Sequence, residues 1–257
     1  MVRDPALLAV QMTKKILGMV TTPYVAYCGD DDSLPMRGLE RSCLSLDGET
    51  TAVAVMGKAV VLRPEEAWGY RLPERLEASQ AGRVLAHLND YRPTAFGVHR
   101  TVLAMAAHRY VPDSGPVGEL DLELLPSCLT VAAGPVHRID ELVLVRTFVK
   151  HRTAQLQAKF PTHEDWILRD NATAEHRAFE DHLAAAGLSR LDAKAASRSL
   201  VHSWLQGYCA KRPRRPNRLR EAAKRVPGLL WIYRNQATRR AAGRHWKDIK
   251  AIQEDLR

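Results

Sequence analysis

An α/β body followed by a helical extension is the fold class this sequence predicts, on three observations. Short apolar runs rich in β-branched residues ("YVAYC", "TAVAVMGKAVVL", "DELVLVRTF") alternate with amphipathic helical stretches up to about residue 150. Beyond that point only helical periodicity recurs. With 257 residues, 46% hydrophobic and 26% charged, the chain can bury a sizeable core.

The elements follow in order. Asp4-Pro5 is an N-cap with proline at the first helical position, and Leu7, Leu8, Met12, Ile16 and Leu17 recur at helical spacing until Thr22-Pro23 stops them. "YVAYC" is a short buried strand ended by Gly29. Residues 33–46 read as a helix with Leu34, Leu39, Cys43 and Leu46 inward. "TAVAVMGKAVVL", interrupted at Gly57-Lys58, is one bent strand or two short ones. A loop rich in Pro, Glu and Arg leads to a helix from about Ser79 to Tyr91. "YRPTAFGVHRT" is then a turn running into a strand. A helix with Leu122, Leu125 and Leu129 covers roughly Gly118 to Ala132, and "DELVLVRTF" is the last strand. Thr162 with Asp165, and Ser189 with Asp192, have capping-box spacing in the helical part. The boundaries are 1–150 for the α/β domain, 151–210 for the helical extension and 211–257 for a basic tail.

Charge is unevenly placed. Residues 211–257 hold 15 Lys and Arg against 4 Asp and Glu, a net of +11, whereas residues 1–210 hold 23 against 25, a net of −2. A polyanionic partner is therefore a matter for the tail alone. Trp231, Ile232, Tyr233 and Trp246 among its arginines suit nucleic acid and an anionic membrane surface equally, and a solvated basic helix with no partner is the third use. No run of 18 apolar residues exists, and the N-terminal stretch, broken by Lys14 and Lys15, does not read as a signal peptide. Cys28, Cys43, Cys128 and Cys209 form no C-x-x-C pair, which argues against a zinc cluster and fits reduced, mostly buried thiols in a cytoplasmic protein.

The chemistry-bearing feature is Asp30-Asp31-Asp32 directly after a strand. Adjacent carboxylates repel, and Mg²⁺ or Mn²⁺ shared with phosphate oxygens removes that cost. An acidic turn capping the next helix is the competing use.

The surroundings extend the reading. "TTPYVAYCGDDDSLPMRGLERSCLSL", "VMGKAV", "GRVLAHLNDYRPTAFGVHRT" and "ELLPSCLTVAAGPVHRIDELVLVR", in that order, resemble one branch of the family 2 glycosyltransferases, and "FPTHEDWILRDNATAEHRAFEDHL" is similar to that branch's helical extension. The resemblance runs from about Leu7 to Leu188. It implies a partial GT-A-like sheet, a nucleotide-sugar donor, Mg²⁺ or Mn²⁺, and inverting transfer to a saccharide or lipid-linked acceptor. By the same resemblance Asp30 and Asp31 hold the nucleotide diphosphate, and Asp30, Asp32 and His151 hold the metal, with Asp32 the direct ligand. Arg146 has the fork to pair with a phosphate bidentately, or forms a surface ion pair. Lipid-linked acceptors of the kind the resemblance implies favour an anionic membrane over nucleic acid for the tail. Glu123 is the implied catalytic base, with Asp121 and Glu119 as competitors. His99 and Arg100 shape the acceptor pocket or form a plain turn.

The family's fold also places several nucleotide-binding strands before the acidic cluster, and only 29 residues precede Asp30 here. That departure implies a fragment, a companion chain or self-association, or a non-catalytic, basic-tailed binding protein derived from the fold. An unpaired edge on "YVAYC" is expected.

Overall fold

The computed structural model describes residues 5–62, 67–111, 123–147 and 172–204, and shows a mixed α/β fold. The elements are α1 (Pro5–Met19), β1 (Tyr24–Ala26), β2 (Asp32–Ser33), α2 (Met36–Gly48), β3 (Ala54–Leu62), β4 (Ala67–Arg71), α3 (Gln80–Asn89), a 3₁₀ turn (Thr94–Phe96), β5 (Val98–Arg100), α4 (Thr101–Arg109), α5 (Leu125–Ala133), β6 (Val136–Thr147), α6 (Ala172–Ala185) and α7 (Arg190–Trp204). One six-stranded sheet runs β1-β5-β3-β6-β2, with β4 added to β3. Among the described residues only β3 and β6 pair in parallel; the other strand pairings are antiparallel. Among the described residues β1 pairs with β5 alone, so the expected open edge is present.

β3 is the centre, and it is a single bent strand. Ala54 and Val55 pair with β5, and Lys58 to Leu62 pair with β4. At Gly57-Lys58 the register against β6 jumps, with Met56 opposite Arg138 but Lys58 opposite Leu142, so β6 bulges outward there. Gly57 lets the bulge close in, because a Cβ would stand 2.6 Å from the Glu141 carbonyl. Lys58 (2.8 Å) and Arg71 (3.6 Å) hold Asp140 at the crest.

Alternation along β3 divides the core. Ala54, Met56 and Ala59 pack with Val84 and Leu88 of α3, Leu125, Cys128 and Leu129 of α5, Phe179 and Leu183 of α6, and Ala193 and Ala196 of α7. Val55 faces the other way, into a cluster with Leu46, Ala52 and Val98 below α2. The helical segment 172–204 thus shares the core of the α/β body. Ser189 caps α7 by accepting from Asp192 N (3.1 Å), as the capping-box spacing predicts, and Ser79, where a helix was expected to begin, caps α3 by accepting from Gly82 N (3.0 Å).

Several expectations change. β4 lies within the stretch read as a loop, since "AWGYR" has β-formers that complete the free edge of β3. α4 begins at once after β5, where no helix was expected. In α2 the inward line is Gly38, Ser42 and Leu46, while Leu39 and Cys43 are half-buried. The helix lies so close to β6 that a Cβ on Gly38 would sit 2.1 Å from the Leu142 carbonyl oxygen, which explains why small residues face in. In α1, Val10 and Leu17 are buried and Met12 and Ile16 are exposed. Cys28 is exposed, against the expectation of buried thiols, and Cys128 is buried. The Thr162–Asp165 pair and residues 211–257 lie outside the described residues. Among the described residues no helix is long and apolar enough to cross a membrane.

Candidate active site

The acidic stretch forms a tight turn, with Asp32 N donating to Gly29 O at 3.2 Å. β2 then pairs antiparallel with the last residues of β6, setting Asp32 opposite Arg146 and Ser33 opposite Val145. Thr147 fastens the turn by donating its N–H (3.3 Å) and its hydroxyl to the Asp31 carbonyl. Asp30 and Asp31 are exposed. The Asp32 side chain is only 5% exposed, and its Oδ2 lies 3.6 Å from Arg146 Nε. Burial pushes the Asp32 carboxyl above the usual carboxylate range, Arg146 pulls it back, and Asp31 and Asp30 add to the upward push.

Gly29 gives this turn its shape. A Cβ there would be 3.0 Å from Asp32 Oδ2 and 3.2 Å from Asp31 Oδ1, so both carboxylates lie close over the glycine. Two carboxylates this near each other suit a small dication completed by phosphate oxygens or water. Among the described residues no group of three or more His, Cys, Asp or Glu could hold a metal by itself.

Arg146 joins this turn to the rest of the site. Its guanidinium lies over the Phe96 ring, 4.3 Å from the centroid, and its side chain is 41% exposed. Burial pushes both the Tyr70 phenol and the Glu123 carboxyl up, and the charge of Arg146 reaches both and draws them back. Arg92 covers the ring of Tyr70 at 5.3 Å.

Glu123 sits in a π-turn that leads into α5. Tyr91 Oη donates to its Oε1 at 2.9 Å. Burial raises the Glu123 carboxyl above its ordinary range, while Tyr91 and then Arg146 draw it back. One turn on, Ser127 Oγ accepts from Thr94 N (3.1 Å) and lies 3.2 Å from Thr94 Oγ1. The Thr94 carbonyl in turn meets His99 Nε2 at 2.8 Å. Glu123 opens onto a small cavity of about 20 Å³, shared with Tyr27, Thr94, His99, His108 and Ser127. That volume admits a water molecule, not a sugar ring.

No protein-family model and no curated protein matches this chain.

Of the residues singled out in the sequence, Asp32, Arg146 and Glu123 come together at one end of the sheet, with Asp31 beside Asp32. Asp30 is on the exposed side of the same turn. Asp121, Glu119 and His151 lie outside the described residues. His99 lines the cavity, buried and held neutral, with burial lowering its pKa to about 4. Arg100 does not line the cavity. It turns to the end of α2 and donates to the carbonyls of Leu46 (2.6 Å), Glu49 (3.1 Å) and Ala52 (2.8 Å), satisfying acceptors that a helix end leaves orphaned.

Tyr91, Thr94, Phe96 and Ser127 belong to the site without having been assigned to it. Their signal was in the strings "YRPTAF" and "ELLPS", since Tyr91 and Thr94 are spaced to meet Glu123 and Ser127 one helical turn apart.

Proposed function

We propose that this chain carries the acceptor-activating and diphosphate-binding part of a metal-dependent glycosyltransferase site. The substrates are a nucleotide-sugar donor and a saccharide or lipid-linked acceptor, with inversion at the anomeric carbon. The observation that carries the reading is the convergence of three groups far apart in sequence: Asp32 opposite Arg146 across β2 and β6, and Glu123 within reach of the same arginine's charge.

The division of labour follows from the surroundings of each group. Asp31 and Asp32 would hold Mg²⁺ or Mn²⁺ beside Gly29, and such an ion neutralises the charge that develops on a departing nucleoside diphosphate. Arg146, partly exposed and flat against Phe96, presents the remainder of its guanidinium fork to a phosphate. Glu123 would take the proton of the acceptor hydroxyl through a water in its cavity, which is too small for a sugar ring. Its raised carboxyl range makes it a stronger base than a surface glutamate, and Tyr91 keeps it oriented. The GT-A-like relationship and the branch of family 2 belong to the same proposal, supported by the order of the sequence strings and by a short acidic strand against the end of a long one. Residues 211–257, with their net charge of +11, would keep the enzyme on the inner, anionic face of a membrane, near lipid-linked acceptors.

The test is a screen of uridine, guanosine, thymidine and cytidine diphospho-sugars for Mn²⁺-dependent release of nucleoside diphosphate in the presence of saccharide and lipid-linked acceptors. Release from one donor class, dependent on metal, is expected. Absence of release from every donor would contradict the reading.

A further inference from the structure

We propose that Tyr91 is the positioning residue of this site, holding the Glu123 carboxylate aimed into the cavity. The loop carrying Tyr91 is stitched to the start of α5 at two points, one helical turn apart. Tyr91 Oη donates to Glu123 Oε1 (2.9 Å), and Thr94 N donates to Ser127 Oγ (3.1 Å). Pro93 stiffens the short link between the two stitches. The phenol has little freedom of its own. The buried ring of His87 packs against it edge to face, with centroids 5.2 Å apart and planes at 72°. Since the ring is pinned, the hydroxyl position is pinned, and Glu123 must meet it.

The role rests on the reading of Glu123 as a base but makes its own claim about the carboxylate. A donated O–H stabilises the ionised form, so Tyr91 works against the burial that pushes the Glu123 carboxyl up. The other groups facing Glu123 are Arg146 of β6, whose charge acts in the same direction, and the cavity residues His99 of β5, His108 of α4 and Tyr27 after β1. Burial keeps both histidines on the neutral side of their usual range. Tyr27, its phenol pushed up by burial, is likewise uncharged at neutral pH. Tyr91 first, and then Arg146, are therefore what draw Glu123 back toward the ionised form.

The measurement is a carboxyl ¹³C NMR titration of the full chain, with the Glu123 signal assigned by its loss in Glu123→Gln. In Tyr91→Phe, which keeps the ring against His87, the Glu123 midpoint should rise by about one pH unit, a tenfold gain in proton affinity. An unchanged midpoint overturns the proposal. Should Tyr91→Phe fail to fold, the reciprocal experiment decides. The Glu123 carboxylate helps to raise the Tyr91 phenol, so in Glu123→Gln the tyrosinate absorbance of Tyr91 should appear at lower pH. An unmoved phenol overturns the proposal as well. A shifted Glu123 midpoint in a protein that releases nucleoside diphosphate from no donor would sink the transferase reading and leave the positioning role standing. Sugar transfer with an unshifted midpoint would do the reverse.

Discussion

The two sides of the site are built in opposite ways. Glu123 stands in a wall where side chains answer one another: Tyr91 to Glu123, Thr94 to Ser127, His99 to Thr94. The acidic turn is held by its backbone, through Gly29, Asp31 and Thr147, and leaves the carboxylates of Asp30 and Asp31 at the surface. A base gains from a fixed aim, because proton transfer is sensitive to geometry. Ligands to a hydrated cation gain from exposure, because Mg²⁺ keeps several waters and arrives with its phosphate. Arg146 stands between the two, paired with Asp32 on one side and felt by Glu123 on the other. The contrast shows where order is needed and where access is.

The sharpest break in that contrast is Glu123→Gln. The amide still accepts from Tyr91, so the wall should keep its form while turnover falls roughly 10²–10⁴-fold, the usual worth of a general base. Near-normal turnover would move the role to Asp121 or Glu119.

Acid attacks the wall through its buried histidines. His87 and His99 are fully buried, with pKa values lowered to about 3 and about 4 by burial. Their folded-state values lie below the unfolded value of about 6.5, so the unfolded chain binds more protons in between. Stability they support is whole above about pH 6.5 and is lost as pH falls toward 4 and then 3, at roughly 1.4 kcal/mol per unit for each histidine. Denaturant titrations at stepped pH read this slope. Among the described residues neither ring nitrogen of His87 has a hydrogen-bond partner, so His87→Leu should flatten the slope with little loss at neutral pH. An unaltered slope in that variant would place the acid lability elsewhere.

A smaller effect reaches both sides together. Gly38→Ala forces a Cβ into the Leu142 carbonyl at the β6 bulge, at a cost of about 1–3 kcal/mol. Thermal melting measures it. A variant as stable as the wild type would mean that α2 can step away from β6, and so that the strand carrying Arg146 is less constrained than its packing suggests.

Much of the fold could be read from local signals. The interruption at Gly57-Lys58, the helix start at Ser79 and the Ser189–Asp192 pair are encoded within a few residues, and each stands as expected. What escaped was set by distant partners. "AWGYR" becomes a strand only because β3 offers an edge, and Gly38 faces inward only because β6 passes close by. The same holds for the site. Three adjacent aspartates announce themselves, whereas Tyr91 matters through a residue 32 positions away. Arg100 shows the converse. Beside a histidine at a turn it suggests a pocket, yet its charge closes the end of a helix.

Calorimetry tests the site most directly, with Mn²⁺ and a nucleoside diphosphate titrated into the full chain, into Asp32→Ala and into Gly29→Ala. If two carboxylates flank a cation beside Gly29, the wild type should bind the pair together, Asp32→Ala should lose the heat, and Gly29→Ala should bind about tenfold more weakly, or about 1.4 kcal/mol. Equal heats from wild type and Asp32→Ala would contradict a cation–diphosphate site at this turn, and with it the proposed chemistry.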